Sequence, residues 1–526
     1  MSGVTIDLGQ LDCADQAVYD DLCKADTVGV FQVESRAQMN TLPRLKPRCF
    51  YDLVVEVALI RPGPIQGDMV HPYLRRKAGL EEVTYPHPSL EPILKRTLGV
   101  PLFQEQGMQV AIAAAGFTPG EADLLRKAMG HKRSRERMAD ICQKMLTGME
   151  ANGIPPDVAQ RIYNQINAFA DYGFPESHAA SFALIVYASA YLRHYYAPEF
   201  LCAMLNAQPM GFYAPGTLIE DAKRHGVQVR PVDITRSTWN HTLEPGSARH
   251  AAPIVRLGLR SVLGLGSQAR AKIEAAIHHE GTKGAVRTEP AERDAAAVSS
   301  HPFTSASSAP SPSPFLSILD FVHRSKLDRR PLRALAESGA FDAFVQDEPA
   351  ARRRRVALWR VLEAERGAPG PLALFPESAV PAGLPGFSPP ELTEADYRLT
   401  GLSLNGHPMR HVRPLVVLNG VRSAREILSM RDGEPVAHAG LVICRQRPGT
   451  AKGFVFLTLE DETGTINVVI TPQRFERQAL LISRTPLLLV RGILQVESGV
   501  YNIRAKQFTA LNAGVGEESV KGHNYR

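Results

Sequence analysis

Two arginines next to turn-forming residues are the first side chains in the sequence that could bind a phosphate. Arg36 closes the segment Gly-Val-Phe-Gln-Val-Glu-Ser-Arg, and Arg61 opens the segment Arg-Pro-Gly-Pro. A guanidinium held in place by a turn can bind phosphate through two parallel hydrogen bonds. A surface arginine beside a structural turn has the same sequence pattern, so both interpretations stay open.

A second group of cations lies in the stretch Leu-Leu-Arg-Lys-Ala-Met-Gly-His-Lys-Arg at residues 124–133. Its apolar residues recur at the spacing of one helix face, which leaves the basic residues on other faces. Those basic residues are Arg126, Lys127, Lys132 and Arg133. They are candidate ligands of a triphosphate or of a DNA backbone. The alternative is a charged helix face that contacts only water.

A third candidate precedes a long apolar stretch, in the segment Asp-Tyr-Gly-Phe-Pro-Glu-Ser-His at residues 171–178. We predict that Ser177 is the N-cap of the following helix, whose first N–H groups would then be free to bind phosphate. His178 is either a ligand-facing side chain or a structural histidine. Tyr172 either stacks on a base or packs in the core.

A fourth candidate is the turn Gly264-Leu265-Gly266, which lies between a strand-like stretch and a helix and resembles a helix–hairpin–helix. Glycines let a DNA backbone approach closely, and the amides of the turn can bind phosphate without reading sequence. Arg270 and Lys272 on the following helix would add positive charge. A tight turn without a ligand is the alternative.

Missing motifs argue against several other classes of protein. The sequence has no G-x-S-x-G, no Gly-Lys-Ser/Thr loop and no H-E-x-x-H. Its six cysteines lack the spacing of zinc ligands, which favours a reduced, cytoplasmic protein. Because no long apolar run or signal-like N-terminus occurs, we expect no membrane association. The net charge of +6 indicates only a mild attraction for polyanions.

The hydrophobic pattern predicts the elements that position these residues. Residues 14–250 are predicted to be mostly helical, and residues 282–314, dominated by Ala, Ser, Pro and Thr, to form a flexible insertion. Helical patterning then resumes and stops at Gly339. Residues 433–512 contain short runs of Val, Ile, Leu, Phe and Thr, with a hairpin turn at 461–464. About five strands in such a length suit an OB-type barrel, which often carries single-stranded nucleic acid.

The segments that hold these candidates occur in the order and spacing of the fingers region of bacterial C-family DNA polymerases, the alpha-type subunits of DNA polymerase III. They read GVFQVESRAQM, VALIRPGP, LFQEQGMQVA, LLRKAMGHKR and YGFPESHAASFALIVYASAYLRHYYAPEF. PESHAASFA, TGLSLNGHPM and the final GHNYR resemble the error-prone branch of that family, which acts in damage-induced mutagenesis. The resemblance covers nearly the whole chain, and the insertion is the main departure.

This resemblance implies a multidomain protein with mainly α-helical fingers and a helix–hairpin–helix region, followed by a small all-β OB-type barrel. The expected parts are a palm remnant at 1–13, fingers at 14–250, helix–hairpin–helix at 255–345, a connector at 346–432, the OB fold at 433–512 and a tail at 513–526. Family members also carry a PHP domain and a palm whose aspartates hold two magnesium ions, and we expect neither domain here. Because the sequence has no Asp-x-Asp, we expect no catalytic or metal-binding residue in this chain.

The resemblance also implies roles for individual residues. Those expected to approach the incoming dNTP or the template backbone are Arg61, Arg126, Lys127, Lys132 and Arg133. Those expected to shape or border the same pocket are Gln104, Glu105, Gln106, Ser177 and His178. The replicative branch usually has Asn-Lys where this chain has Pro175-Glu176, so one cation is absent and nucleotide selection is expected to be looser.

The sequence thus predicts an error-prone DNA polymerase that, in full form, transfers nucleotides from dNTPs to a primer 3′-hydroxyl with Mg²⁺ during translesion synthesis. The chain by itself is expected to bind DNA without synthesising it. Expected partners are primer–template DNA, dNTPs, other proteins of a mutagenesis complex and the sliding clamp, the protein partners by analogy. The alternative function is a non-catalytic DNA-binding platform of such a complex.

Overall fold

The structure is a computed structural model. It describes the chain apart from residues 1–4, 61–69, 130–134, 169–173, 212, 247–251, 279–313, 367–382, 449–450, 452, 498, 512–522 and 526. The chain forms two compact units. The N-terminal unit comprises Ile6–Tyr196 with Val496–Val500, and the C-terminal unit is made mainly of Ala197–Gln495 and Tyr501–Arg526. The domain boundaries expected from the sequence stay predictions.

The N-terminal unit is a set of helices packed around one fully buried helix. The helices are α1 Gln16–Cys23, α2 Arg36–Leu45, α3 Phe50–Leu59, α4 Val70–Lys77, α5 Glu91–Leu94, α6 Gln104–Ala115, α7 Pro119–Met129, α8 Arg135–Ala151, α9 Pro156–Ala168 and α10 Glu176–Tyr195. In α3 every residue from Asp52 to Leu59 is buried, as expected for a helix that is apolar on nearly all sides. The long helix α10 packs against α3.

One residue of α3 does not suit this apolar core. The carboxyl group of Glu56 is fully buried, and neither of its oxygens has a hydrogen-bond partner among the residues that the structure describes. Burial raises the pKa of Glu56 to about 8, because a charge in an apolar interior loses its hydration. The side chain is therefore mostly protonated at neutral pH.

The C-terminal unit combines helices with two sheets. Its helices are α11 Ala197–Asn206, α12 Pro215–Arg224, α13 Ser267–His278, α14 Ile318–Ser325, α15 Arg329–Glu337, α16 Ala350–Arg366, α17 Pro389–Thr400, α18 Pro408–Val417, α19 Ala424–Ile427 and α20 Pro472–Arg484. The small sheet contains β1 Val229–Arg230, β2 Thr242–Glu244 and β3 Ile254–Arg256 in the order β1-β3-β2. The strands β1 and β2 lie in a stretch expected to be mostly helical, and they are too short to show strand periodicity.

Two helical hairpins follow the small sheet. In the first, Gly264 has a φ of +98° and α13 begins at Ser267, which confirms the predicted turn and helix. In the second, α14 and α15 are joined by three residues, of which Lys326 has a left-handed backbone. Gly339 lies just after α15 with a φ of +85°, so it ends that helix as predicted. The insertion predicted at 282–314 lies, except for residue 314, outside the described residues.

The larger sheet is a barrel and confirms the predicted fold class. Its strands are β4 Pro435–Gln446, β5 Val455–Asp461, β6 Gly464–Ile470, β7 Leu487–Glu497, β8 Val500–Ala510 and β9 His523–Tyr525. They follow the order β5-β6-β8-β7-β4-β9, and a further pairing of β5 with β4 closes the first five into a barrel. The hairpin at 461–464 is present, because Asp461 accepts hydrogen bonds from the N–H groups of Thr463 and Gly464 at 2.8 and 3.0 Å.

Buried ion pairs connect the barrel to the helices of the same unit. Arg224 of α12 donates a 3.0 Å hydrogen bond to the buried Glu460. Arg413 of α18 donates to Asp461 at 2.7 Å and to Glu462 at 2.6 Å. Hydrogen bonds between ionised groups are stronger than neutral ones, so these contacts fix the barrel against the helices.

In the part of the chain that the structure describes, no helix is long and apolar enough to cross a bilayer.

Candidate nucleic-acid interface

The beginning of α10 gathers predicted site residues from two distant parts of the sequence. The N–H of Gln104 donates to the carbonyl of Phe174 at 3.1 Å, and the N–H of Glu176 donates to Oε2 of Glu105 at 3.0 Å. These two bonds hold the start of α6 against the start of α10. They place Gln104 and Glu105 close to Ser177.

The predicted N-cap of α10 is wrong. The N-cap is Pro175, and Ser177 lies inside the first turn of the helix. Proline fixes its φ near the value required before a helix, and here φ is −66°. The carboxylate of Glu105 takes the place of a capping side chain. The N–H of Glu176 is therefore already bonded, and it is not free for a phosphate as the sequence suggested.

Ser177 and His178 are both exposed at the start of α10. The imidazole of His178 lies edge-on to the ring of Phe174 at 5.0 Å and to that of Phe182 at 4.4 Å. Ring contacts of this kind restrict the orientation of a side chain. His178 thus presents an ordered polar edge at the surface rather than a buried one.

Gln106 differs from its two neighbours because its side chain is buried and fully bonded. Its carbonyl oxygen accepts from the N–H groups of Leu102 at 2.8 Å and Phe103 at 3.2 Å. Its amide nitrogen donates to the carbonyl of Ile93 at 3.2 Å and to the hydroxyl of Thr97 at 2.8 Å. These bonds satisfy the amide internally, so Gln106 shapes the pocket only by holding α6 in place.

The two described cations of the second group share one carboxylate. Arg126 donates to Oδ1 of Asp123 at 2.8 Å, and Lys127 lies 2.8 Å from Oδ2 of the same residue. The hydrogen bond from Lys127 and, to a smaller extent, that from Arg126 lower the pKa of Asp123. Both cations are exposed in part, since their side chains keep 42% and 62% of their accessible area. This face of α7 therefore retains one uncompensated positive charge.

Several predicted residues have no described position. Arg61 lies in 61–69, Lys132 and Arg133 lie in 130–134, and Tyr172 lies in 169–173, all outside the described residues. Their roles stay predictions.

The two helical hairpins of the C-terminal unit border a single groove of about 290 Å³. Residues from both hairpins line it: Gly264, Gly266, Ser267, Gln268, Ala269, Lys272, Leu327, Asp328 and Pro331. A Cβ added to Gly266 would meet no atom within 4 Å, and its φ is not left-handed. Among the described residues, neither backbone conformation nor packing requires glycine there. A ligand that approaches the backbone closely would require it.

The two cations predicted beside this turn have different surroundings. Lys272 lines the groove and lies 3.6 Å from the carboxylate of Asp328, a mostly exposed residue of the second hairpin. Arg270 instead bonds Glu274 at 2.8 Å and lies over the ring of Trp239. The second hairpin was not among the predicted site residues, because nothing in the sequence between Lys326 and Asp328 resembles a glycine turn.

The outer face of the barrel carries two rows of side chains across β5, β6 and β8. In one row Phe456 pairs with Val469, and Val469 with Arg504. In the other Thr458 pairs with Asn467, and Asn467 with Asn502. Alternate residues of β5 and β6 point into the barrel, which leaves these rows half-buried or exposed. An aromatic, a cation and amides on one sheet face suit contacts to unpaired bases and their phosphates.

The sequence did not indicate two further residues at the start of α10. The hydroxyl of Tyr51 donates to Oε1 of Glu176 at 3.0 Å, and Arg96 lies 3.5 Å from the same oxygen. The guanidinium of Arg96 also lies 4.1 Å above the ring of Tyr51. Because 125 residues separate Tyr51 from Glu176, no local pattern could have found this contact.

Family models match three parts of the chain. Residues 1–153 match the finger domain of the bacterial DNA polymerase III alpha subunit, residues 226–284 a helix-hairpin-helix motif, and residues 438–511 an OB-fold nucleic acid binding domain. Together with the helical hairpins and the barrel, these matches show a chain built from the finger domain of a bacterial DNA polymerase III alpha subunit, a helix-hairpin-helix motif and an OB fold.

Over nearly its whole length the chain is similar to proteins named error-prone DNA polymerase. It is 47% identical to that of Anaeromyxobacter sp. (strain K) over 96% of this chain and 42% of the relative. It is 45% identical to that of Burkholderia pseudomallei over 97% of this chain and 45% of the relative. It is also 45% identical to that of Mycolicibacterium paratuberculosis, over 98% of this chain and 44% of the relative. The chain thus spans less than half the length of these relatives.

Proposed function

We propose that this chain supplies the DNA-binding and nucleotide-binding part of an error-prone DNA polymerase, which extends a primer on damaged template DNA. The observation that carries the proposal is the groove between the two hairpins. Gly266 and Lys272 both line it, and a Cβ on Gly266 would meet no described atom within 4 Å. Backbone amides and one lysine bind phosphates without regard to sequence, as a polymerase must.

The barrel face would hold the unpaired template strand. Phe456 offers a ring on which a base can stack, and Arg504 offers an exposed cation for a phosphate in the same cross-strand row. Stacking on aromatic side chains tolerates every base, because each base has a π-face. Such contacts suit a strand that is read elsewhere by base pairing.

The incoming dNTP would meet the start of α10 and the cationic face of α7 in the N-terminal unit. Arg126 and Lys127 would bind its phosphates by exchanging Asp123 for a phosphate oxygen. Ser177 and His178 would border its base or sugar. Arg61, Lys132 and Arg133 would contribute further cations, as the family resemblance implies.

Nucleotidyl transfer in DNA polymerases uses divalent metal ions, here proposed to be Mg²⁺, held by clustered carboxylates. Neither compact unit, taken by itself, brings three metal-ligating side chains together among the described residues. The residues that the structure describes therefore do not fit a two-metal site within either unit. We assign binding and orientation of substrates to this chain, and we assign the transfer step to none of its described residues.

The same observation favours the second candidate function, a non-catalytic DNA-binding platform of a mutagenesis complex. In either case the proposed setting is the cytoplasm, and the proposed protein partners are other members of that complex and the sliding clamp. Six cysteines with no disulfide among them are compatible with this setting.

The test is the salt dependence of DNA binding, measured by fluorescence anisotropy with a labelled primer–template. We expect affinity to fall steeply as salt rises, because each neutralised phosphate releases counterions. Lys272→Ala should reduce the slope of log affinity against log salt by about one. The exposed Arg161, paired with Asp157 in the N-terminal unit, provides the control Arg161→Ala. A flat salt response of the unmodified chain would overturn the proposal.

A further inference from the structure

The carboxylate of Glu176 is the centre of a three-residue contact at the start of α10. Tyr51 donates a hydrogen bond to its Oε1 at 3.0 Å, and a nitrogen of Arg96 lies 3.5 Å from the same atom. The guanidinium carbon of Arg96 lies 4.1 Å from the centre of the Tyr51 ring. Each residue therefore contacts the other two.

Tyr51 contacts both other residues of this cluster and restricts their orientation. Burial first, and then the neighbouring Glu176, raise the pKa of Tyr51, so its hydroxyl stays protonated and donates at all ordinary pH values. A hydrogen bond to a charged acceptor is stronger than one to a neutral acceptor. The tyrosine ring also supports the guanidinium through a cation–π contact.

Arg96 would be only loosely held by Glu176 alone. Its side chain is 68% exposed, and an exposed ion pair contributes little by itself. The contact with the ring of Tyr51 restricts the guanidinium to the side of Glu176. Arg96 is thus positioned to neutralise that carboxylate.

The carboxylates at the start of α10 affect whether the proposed dNTP site can bind a triphosphate. Glu105 and Glu176 bring two carboxylates to the start of α10, next to the exposed Ser177 and His178. Two uncompensated negative charges there would repel a triphosphate. Arg96 cancels one of them, and the capping contact to the N–H of Glu176 partly cancels the other.

We propose that Tyr51 and Arg96 are positioning residues of the dNTP site: they bind and neutralise Glu176, and so they permit a triphosphate to approach α10. This inference rests on the proposed nucleotide-binding function. It also predicts that residue 176 cannot be changed independently of Arg96. A lysine placed at 176 would lose the bond from Tyr51 and would face the guanidinium of Arg96.

A double-mutant cycle on the chain tests the proposal, with dTTP as the probe and binding measured by titration calorimetry without divalent metal. Arg96→Ala should weaken dTTP binding about fivefold, because Glu176 is then left negative. Glu176→Gln alone should change it less than about twofold, and the double variant Arg96→Ala/Glu176→Gln should return to within about twofold of the unmodified chain. Arg161→Ala is the matched control, since that arginine is equally exposed and also paired with a carboxylate.

Three outcomes would overturn the proposal. An unchanged affinity in Arg96→Ala would show that neutralisation of Glu176 is irrelevant. A double variant as weak as Arg96→Ala would show that Arg96 contacts the triphosphate directly. A loss of thermal stability without any change in dTTP affinity would show a purely structural role. Tyr51→Phe, which keeps the ring but removes the donor, should weaken dTTP binding less than Arg96→Ala does.

The same preparations separate this inference from the proposed function. Primer–template binding is measured alongside dTTP binding in each variant. If the unmodified chain binds DNA but not dTTP, the inference and the dNTP role fail while the DNA-binding role stands. If it binds neither, the proposed function itself fails.

Discussion

The start of α10 and the groove between the hairpins were both predicted to bind phosphate, but their polar groups have different partners. At α10 the N–H of Glu176 is bonded to Glu105, and the carboxylate of Glu176 is bonded to Tyr51 and Arg96. In the groove a Cβ on Gly266 would meet no described atom within 4 Å, and Lys272 lies 3.6 Å from an exposed aspartate. At α10 the cap and the carboxylate are bonded within the chain, so a nucleotide would meet the exposed Ser177 and His178 there, whereas in the groove it would meet the weakly paired Lys272. Residue types alone therefore do not distinguish a structural cluster from an open site.

The largest expected effect concerns Glu56, whose buried carboxyl group has no hydrogen-bond partner in the described part of the N-terminal unit. Its pKa of about 8 lies above the value of an unfolded glutamate, so the folded chain binds more protons between about pH 4.5 and 8. The free energy of unfolding should fall as pH rises through that window, by up to roughly 5 kcal/mol. Urea unfolding at several pH values measures it.

Glu56→Gln should remove this pH dependence, since the amide does not ionise. The exposed Glu82 provides the control, and Glu82→Gln should leave the slope unchanged. An identical slope in Glu56→Gln and the unmodified chain would contradict the assignment.

The next effect tests the open groove. Gly266→Leu should weaken primer–template binding about tenfold, because a side chain would occupy the space left for the phosphate backbone. The melting temperature should hardly change, since a Cβ added at this position meets no described atom within 4 Å. Gly120, which also has open surroundings but lies at the start of α7, gives the control Gly120→Leu. Equal loss of binding in both variants would argue against a specific groove.

A smaller effect is expected from removing the carboxylate of Glu105, which caps the start of α10. Glu105→Ala removes the cap of α10 and should lower the free energy of unfolding by about 1 kcal/mol. The N–H of Glu176 then becomes available, so dTTP affinity should rise rather than fall. Glu105→Gln keeps an acceptor and should retain the stability. Weaker dTTP binding in Glu105→Ala would mean that the carboxylate itself serves the nucleotide.

The smallest effect should come from Asp328, whose carboxylate accompanies Lys272 in the groove. Asp328→Asn removes a negative charge that competes with DNA phosphates, and it should strengthen primer–template binding by about twofold at low salt. The gain should disappear at high salt, where exposed charges are screened. A gain that persists at high salt would point to a contact other than charge.

The sequence predicted those elements that local patterns define. Short runs of Val, Ile, Leu, Phe and Thr indicated the strands of the barrel. The turn from Asp461 to Gly464 indicated its hairpin, because Asp can bond its own turn. Gly264 and Gly339 marked turns that the structure contains with positive φ. The sequence could not reveal which polar groups bond each other across long separations. Glu105 and Glu176 are 71 residues apart, and this one contact made the predicted N-cap at Ser177 wrong.

Strand β9 has a consequence for the behaviour of the chain in concentrated solution. Residues His523–Tyr525 pair in parallel with Cys444–Gln446 of β4, beyond the point at which β7 ends its own pairing with β4 at Leu441. The backbone edge covered there follows the apolar run Leu441–Cys444, a composition that favours intermolecular sheets when it is uncovered. Strand β9 thus extends the paired edge of β4 as far as Gln446, and its removal would expose three backbone positions to pairing with another chain.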